Sequence, residues 1–184
     1  MKKYLLATAV AALLLGSAPL VLARDAASTN SESGSQSSLP SAALSVLNAT
    51  RFTDLQGQVH QIKEWRGHLL LVNFWATWCA PCLRELPVLI EAQQNYGPRG
   101  LQIIGLAVDA PSAAREEKGI LGINYPIMVS SPTAMLALAE KLGDHRRSLP
   151  YSVLVGPDGT IIGRHAGEFH AQDLDALITP YLPH

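Results

Sequence analysis

Cysteine is nearly absent from this chain. Among 184 residues only Cys79 and Cys82 occur, both in the run Trp78-Cys79-Ala80-Pro81-Cys82. A disulfide-stapled scaffold needs more cysteines at wider spacing, so that class is excluded. A bridge between these two would close a tiny loop and constrain the unfolded chain little. Charge is also scarce, at 16% of residues with a net −1, and no long basic run appears. General attraction to nucleic acid or to anionic lipid is therefore not expected. Internal repeats are missing too. What remains is a 48% hydrophobic composition, suited to a buried core and unlike a disordered or fibrous chain. The length fits one domain of ordinary size once the N-terminus is set aside.

That N-terminus reads as an export signal. Lys2 and Lys3 precede an apolar stretch from Leu5 to Leu15, and Gly16, Ser17 and Pro19 then break it. Val21-Leu22-Ala23 supplies compact residues for cleavage after Ala23. The alternative is an uncleaved anchor, because residues 4–23 are about long enough to span a bilayer. No cysteine lies nearby, which excludes a lipoprotein anchor. Either way the folded part is exported. Residues 24–43 are polar and Ser-rich and read as a flexible tether, so the folded domain is expected over 44–184.

Within it, residues 51–53 and 59–62 read as short strands around Gln56-Gly57-Gln58, an N-terminal β-hairpin. Residues 69–75 (Leu-Leu-Leu-Val-Asn-Phe-Trp) form a nearly continuous apolar run, the pattern of a strand buried on both faces. A helix follows directly, with Leu86, Leu89 and Ile90 on one side and Pro81 in its first turn, and Gly97-Pro98 stops it. Residues 101–108 form a second buried strand, completing a right-handed strand–helix–strand unit. Helices are expected over 112–121 and 132–142, with an extended piece at 126–129 between them. Two strands joined by Gly156-Pro157-Asp158-Gly159 follow, then a closing helix over 171–182. The order β-β-β-α-β-α-α-β-β-α implies an α/β fold, a central mixed sheet with helices on both faces.

The cysteine pair opens the helix after the first buried strand. Orphan backbone N–H groups and the positive end of the helix dipole then face the Cys79 sulfur and favour its thiolate. Cys82, within the first turn, is shielded. Cys79 is thus placed to attack a disulfide and Cys82 to resolve the mixed disulfide. Covalent haem attachment needs His after the second cysteine, and Leu83 stands there. Structural zinc needs two more ligands, and His165 and His170 lie far along the chain with no second C-x-x-C. No metal site is expected. A plain buried bridge is the bland alternative, disfavoured by the short loop.

These residues resemble the thioredoxin fold, and more closely the exported TlpA/ResA branch of thiol-disulfide oxidoreductases. Residues 73–82 (Asn-Phe-Trp-Ala-Thr-Trp-Cys-Ala-Pro-Cys) are similar to that family's strand and active-site loop. Pro87 matches the proline that kinks its active-site helix. Ser148-Leu149-Pro150-Tyr151 and the hairpin after it resemble its cis-proline loop. The likeness runs from about Leu44 to Leu182. It implies that Pro150 is cis and packs against the cysteines, with Trp78, Ala80 and Pro81 as active-site support. The Leu149 backbone and Trp78 would contact substrate; Trp75 reads as core.

One departure matters. Ordinary thioredoxins carry a buried Asp in the active-site strand, and Asn73 stands there, which is no base. The position that holds Glu between the cysteines in some branch members is Ala80. Glu85 is the nearest acid that could serve in place of that base, one helical turn from Cys82, but it reads first as a solvated surface charge, and no proton acceptor is assigned.

The resemblance further implies a monomeric periplasmic enzyme with no bound cofactor beyond the redox-active pair. It would reduce disulfide-bearing protein substrates, with electrons from a membrane thiol-disulfide donor, in cytochrome c or copper-site maturation. A disulfide-forming oxidase would use the same residues at a more oxidising potential. A thiol peroxidase of the related peroxiredoxin type is a further alternative, although its Thr stands three residues before the cysteine and Thr77 is two before Cys79.

Overall fold

Residues 38–183 are described by a computed structural model. The expected signal, residues 1–23, and most of the expected tether lie outside the described residues. Within them no helix is long and apolar enough to cross a membrane.

The centre of the molecule is strand β3 (Leu69–Trp75), every residue of which is buried. It pairs in parallel with β4 (Leu101–Ala107) and antiparallel with β6 (Tyr151–Val155), so both its edges and both its faces are covered. That environment is why its sequence runs apolar without alternation. Around this core the sheet extends to seven strands, with β1 (Phe52–Asp54) and β2 (Val59–His60) at one edge and β7 (Ile161–Ala166) at the other. The order is β2-β1-β5-β4-β3-β6-β7, with β5 spanning Ile127–Val129.

Helix α2 (Ala80–Tyr96) links β3 to β4 and lies over the sheet face that carries Asn73. Helix α5 (Ala171–Ile178) shares that face; Tyr96 Oη of α2 donates to Asp175 Oδ1 of α5 at 2.9 Å. Helix α4 (Pro132–Lys141) leads to the opposite face, where Tyr151 Oη donates to the Leu142 carbonyl and the Phe74 and Tyr151 rings meet at 6.2 Å. Helix α3 (Pro111–Leu121) flanks β5. Leu71, Trp75, Leu86, Leu89, Ile103, Leu174 and Ile178 are among the fully buried side chains. Burial of each large one contributes about 1.5–3 kcal/mol.

Three expectations need correction. First, residues 38–43 are not tether: helix α1 (Ser38–Ala49) begins six residues before the expected start of structure. Ala43 and Leu47, one turn apart, are both buried, and the helix packs along α4. The serines around that short apolar pair conceal it in composition. Second, the extended piece before α4 is a true strand. β5 pairs in parallel with β4 and antiparallel with β1, and so ties the N-terminal hairpin to the central sheet. Three residues are too few for any periodicity to reveal. Third, the closing helix ends at Ile178 rather than 182, continuing as a single 3-10 turn, Thr179–Tyr181, that contains Pro180.

Candidate active site

The end of β3 delivers the chain into a loop pinned from the side. Asp109, just past β4, accepts hydrogen bonds from the Thr77 backbone N–H at 3.0 Å and from the Thr77 hydroxyl. Partial burial acts to raise the Asp109 carboxyl, but these bonds, together with one from the Ala110 N–H, hold it below its usual range. Cys79 is the N-cap of α2, with extended backbone angles, and its sulfur accepts the Cys82 N–H at 3.3 Å. Pro81 sits in the first turn, where no N–H is needed. The two sulfurs are joined in a disulfide, with Cα atoms 5.2 Å apart. Cys82 is fully buried, whereas Cys79 retains 6% of its surface. Only one sulfur is therefore presented to a partner.

Around them, Trp78 projects into solvent with 66% exposure, while Trp75 is buried in the core. Ala80 is exposed and Leu149 half-buried. The Leu149–Pro150 peptide bond is cis, and the Pro150 carbonyl accepts from Gly167 N–H at 2.9 Å. Pro87 lies inside α2 without ending it.

Beneath Cys82 the structure departs from the sequence reading. Glu85 is not a surface charge: it is fully buried. Its Oε1 accepts from Asn73 Nδ2 at 2.7 Å and its Oε2 from the Phe169 backbone N–H at 2.9 Å. Asn73 Nδ2 also donates to Ser152 Oγ at 3.0 Å. Burial pushes the Glu85 carboxyl up to about 7, while the two hydrogen bonds pull the other way. The charged form of a buried carboxylate costs more than the neutral one, and here the balance falls near neutrality. Burial, and secondarily the Glu85 carboxylate, raises the Tyr125 hydroxyl above its usual range.

The sequence placed Glu85 one turn from Cys82 but missed its burial, because helical spacing alone does not say which face is covered. The signal was its position: Cys82, Glu85, Leu86 and Leu89 form one buried stripe. The cover over that stripe comes from the loop before α5, which only tertiary structure supplies. Phe169 is buried there under the stacked ring of His165, with centroids 3.9 Å apart. Glu168 beside it pairs with Arg84 of α2 at 2.6 Å. Among the described residues no cluster of side chains suits a metal ion.

The site joins a helix-capping disulfide, of which only Cys79 keeps a small accessible surface, to a cis-proline in a mixed sheet with helices on both faces. The Redoxin family matches residues 35–178. The chain belongs to the Redoxin family. Over 132 residues this Redoxin protein is 28% identical to the thiol-disulfide oxidoreductase ResA of Bacillus anthracis, covering 71% of the chain and 73% of that protein. Identity to the ResA of Geobacillus kaustophilus is 29% over the same shares. Among solved structures it is similar to a thiol:disulfide interchange protein of the thioredoxin family from Chlorobium tepidum, with TM-score 0.64 and 24% identity, covering 72% of this chain and 92% of that one. A secreted thiol-disulfide isomerase from Corynebacterium glutamicum gives TM-score 0.62 at 19% identity, covering 72% and 82%. The fold is the thioredoxin fold, and this Redoxin protein is a TlpA/ResA-like thiol-disulfide oxidoreductase.

Proposed function

We propose that the protein is a periplasmic reductase of protein disulfides in which Cys79 attacks, Cys82 resolves and Glu85 takes the proton of Cys82. The observation that carries this reading is the buried carboxylate poised near neutrality one helical turn behind the buried sulfur. In the reduced protein the Cys79 thiolate, favoured by the N-terminus of α2, attacks one sulfur of a substrate disulfide. The substrate S–S bond breaks, its second sulfur leaves and takes up a proton, and a mixed disulfide remains on Cys79. Cys82 then loses its proton to the Glu85 carboxylate and attacks the Cys79 sulfur. The mixed disulfide breaks, the Cys79–Cys82 bond forms, and the other substrate sulfur leaves as a thiol after protonation. Two electrons pass from the dithiol to the substrate, with no bound cofactor.

Trp78 is assigned to partner contact, since a large exposed aromatic at the rim of a reactive sulfur offers apolar area at low entropic cost. The Leu149 backbone, next to the cis-proline, pairs with an extended segment of the substrate. Ala80 and Pro81 shape the first turn. The protein acts as a monomer facing the periplasm, is re-reduced by a membrane thiol-disulfide donor, and serves cytochrome c or copper-site maturation; resemblance to the TlpA/ResA branch supports these assignments. Equilibration with a glutathione couple tests the direction of electron flow. A potential near or below thioredoxin's, about −270 mV, supports the reductase, and a value near that of a strong oxidant, about −120 mV, overturns it.

A further inference from the structure

Four hydrogen-bonding groups meet under α2 in a space closed to water: the Glu85 carboxylate, the Asn73 amide, the Ser152 hydroxyl and the Phe169 N–H. Asn73 Nδ2 donates to both Glu85 and Ser152, while Asn73 Oδ1 is buried without a partner. This arrangement suits an ionised Glu85, whose oxygens each accept one hydrogen bond. It does not suit a protonated one. A carboxylic acid has an O–H to donate, and both oxygens of Glu85 already face donors. Left as it is, the amide would strand that O–H as well as its own Oδ1. A half-turn of the amide removes the conflict. Oδ1 then accepts the Glu85 O–H, and the Ser152 hydroxyl, which works in either sense, reverses and donates to the same oxygen. Only Nδ2 is left without a partner.

We propose that Asn73 is an amide rotor, partnered by Ser152 in both orientations, that turns from donor to acceptor when Glu85 takes up a proton. Both residues are positioning residues: they act through Glu85 and touch neither substrate nor sulfur. The place of the rotor in turnover rests on Glu85 being the acceptor for Cys82, but its existence does not. The rotor lets one buried carboxyl hold or release a proton with its hydrogen bonds met in each state, which a fixed donor does not allow.

The test is an NMR titration of the disulfide form from pH 5 to 9, in which neither cysteine titrates. Two signals are followed: the Glu85 side-chain carboxyl carbon, and the cross-relaxation of the Asn73 amide protons with the side-chain protons of Glu85 and Ser152. Other titratable or charged groups packed around the cluster are Glu168 with its partner Arg84, Tyr125, and His165; a His165→Gln control keeps the imidazole out of the curve. The rotor predicts that amide cross-relaxation is present at high pH and lost at low pH, with the midpoint of the Glu85 carbon. In Glu85→Gln, whose amide must keep its oxygen toward the Phe169 N–H, the low-pH pattern should persist throughout. Because the Ser152 hydroxyl bonds the amide in both states, Ser152→Ala should weaken each alike and leave the midpoint within about half a pH unit of the parent's, and a shift of a full unit would mean that the hydroxyl does not reverse. An Asn73 signal that stays unchanged while the Glu85 carbon titrates overturns the rotor. Unaltered resolution kinetics in Glu85→Gln would instead overturn the assignment of Glu85 as proton acceptor, so the two failures are distinct.

Discussion

The Asn73 amide donates to the Glu85 carboxylate across 2.7 Å, in a space that solvent does not reach. The acid of this site thus stands on the helix and its partner on the strand. Thioredoxins, which the active-site strand resembles, carry their acid on the strand instead. Glu85 stands one turn beyond Cys82, on the same buried stripe of α2.

Stability should depend on pH through Glu85. Its carboxyl titrates near 7 in the folded chain against 4.5 when free, because burial disfavours the charge. A raised folded value means the fold favours the protonated form. The associated stability is fully present below pH 4.5 and is lost as pH rises through 7. A shift of this size corresponds to roughly 3 kcal/mol between the two ends of that window. Thermal melts of the oxidised protein should therefore show Tm falling from pH 5 to pH 8, and Glu85→Gln should flatten the slope. An identical slope in both proteins contradicts the assignment.

Cys82→Ser should trap substrates. With the resolving thiol gone, Cys79 still attacks but the mixed disulfide persists. Non-reducing gels should show covalent adducts with Cys82→Ser and none with Cys79→Ser. The reverse pattern would exchange the roles of the two sulfurs.

Trp78→Ala should separate protein substrates from small ones. The side chain is 66% exposed and carries little of the core. Tm should move by less than about 0.5 kcal/mol equivalent, as for an ordinary surface change. Exchange with a protein disulfide should slow several-fold while exchange with glutathione disulfide holds. Equal loss for both would remove Trp78 from partner recognition.

Gly105→Ala probes the packing beside Asn73. A Cβ there would lie 2.6 Å from Ile127 Cδ1 and 3.0 Å from Trp75 Nε1. Overpacking of this kind costs about 1–3 kcal/mol. Denaturant unfolding should show a lower midpoint with an unchanged slope, and a midpoint like that of the parent would mean the core yields more easily than its packing implies.

Much of this was legible in the sequence, for physical reasons that differ by element. β3 declared itself because a strand covered on both faces carries no polar alternation, and residues 69–75 match its observed span. The cysteines declared themselves because a C-x-x-C followed by helical periodicity and Pro81 leaves one place for a helix start. The hairpin at Gly57 and the Gly156 to Gly159 turn were visible because both turns use left-handed glycines, Gly57 and Gly159. Helix α1 was not, since it is stabilised by α4, distant in sequence; the extended piece at 126–129 was visible, but not its pairing with β1 and β4 as strand β5. Glu85 was hidden for the same reason. Its spacing placed it near Cys82, but its burial depends on the Phe169 loop, 84 residues away. Asp109 likewise pins the active-site loop from 32 residues along the chain, a link that no local pattern records.

The central claim is that Glu85 takes the proton from Cys82 during resolution. The most direct test is the rate at which a preformed mixed disulfide on Cys79 is released, measured in stopped flow against pH for the parent chain and Glu85→Gln. The rate should be about a hundredfold lower for Glu85→Gln at pH 7, the lower end of what a positioned acid–base group contributes. The two curves should converge above pH 9, where the Cys82 thiol ionises without help. Superimposable curves from pH 6 to 9 would contradict it.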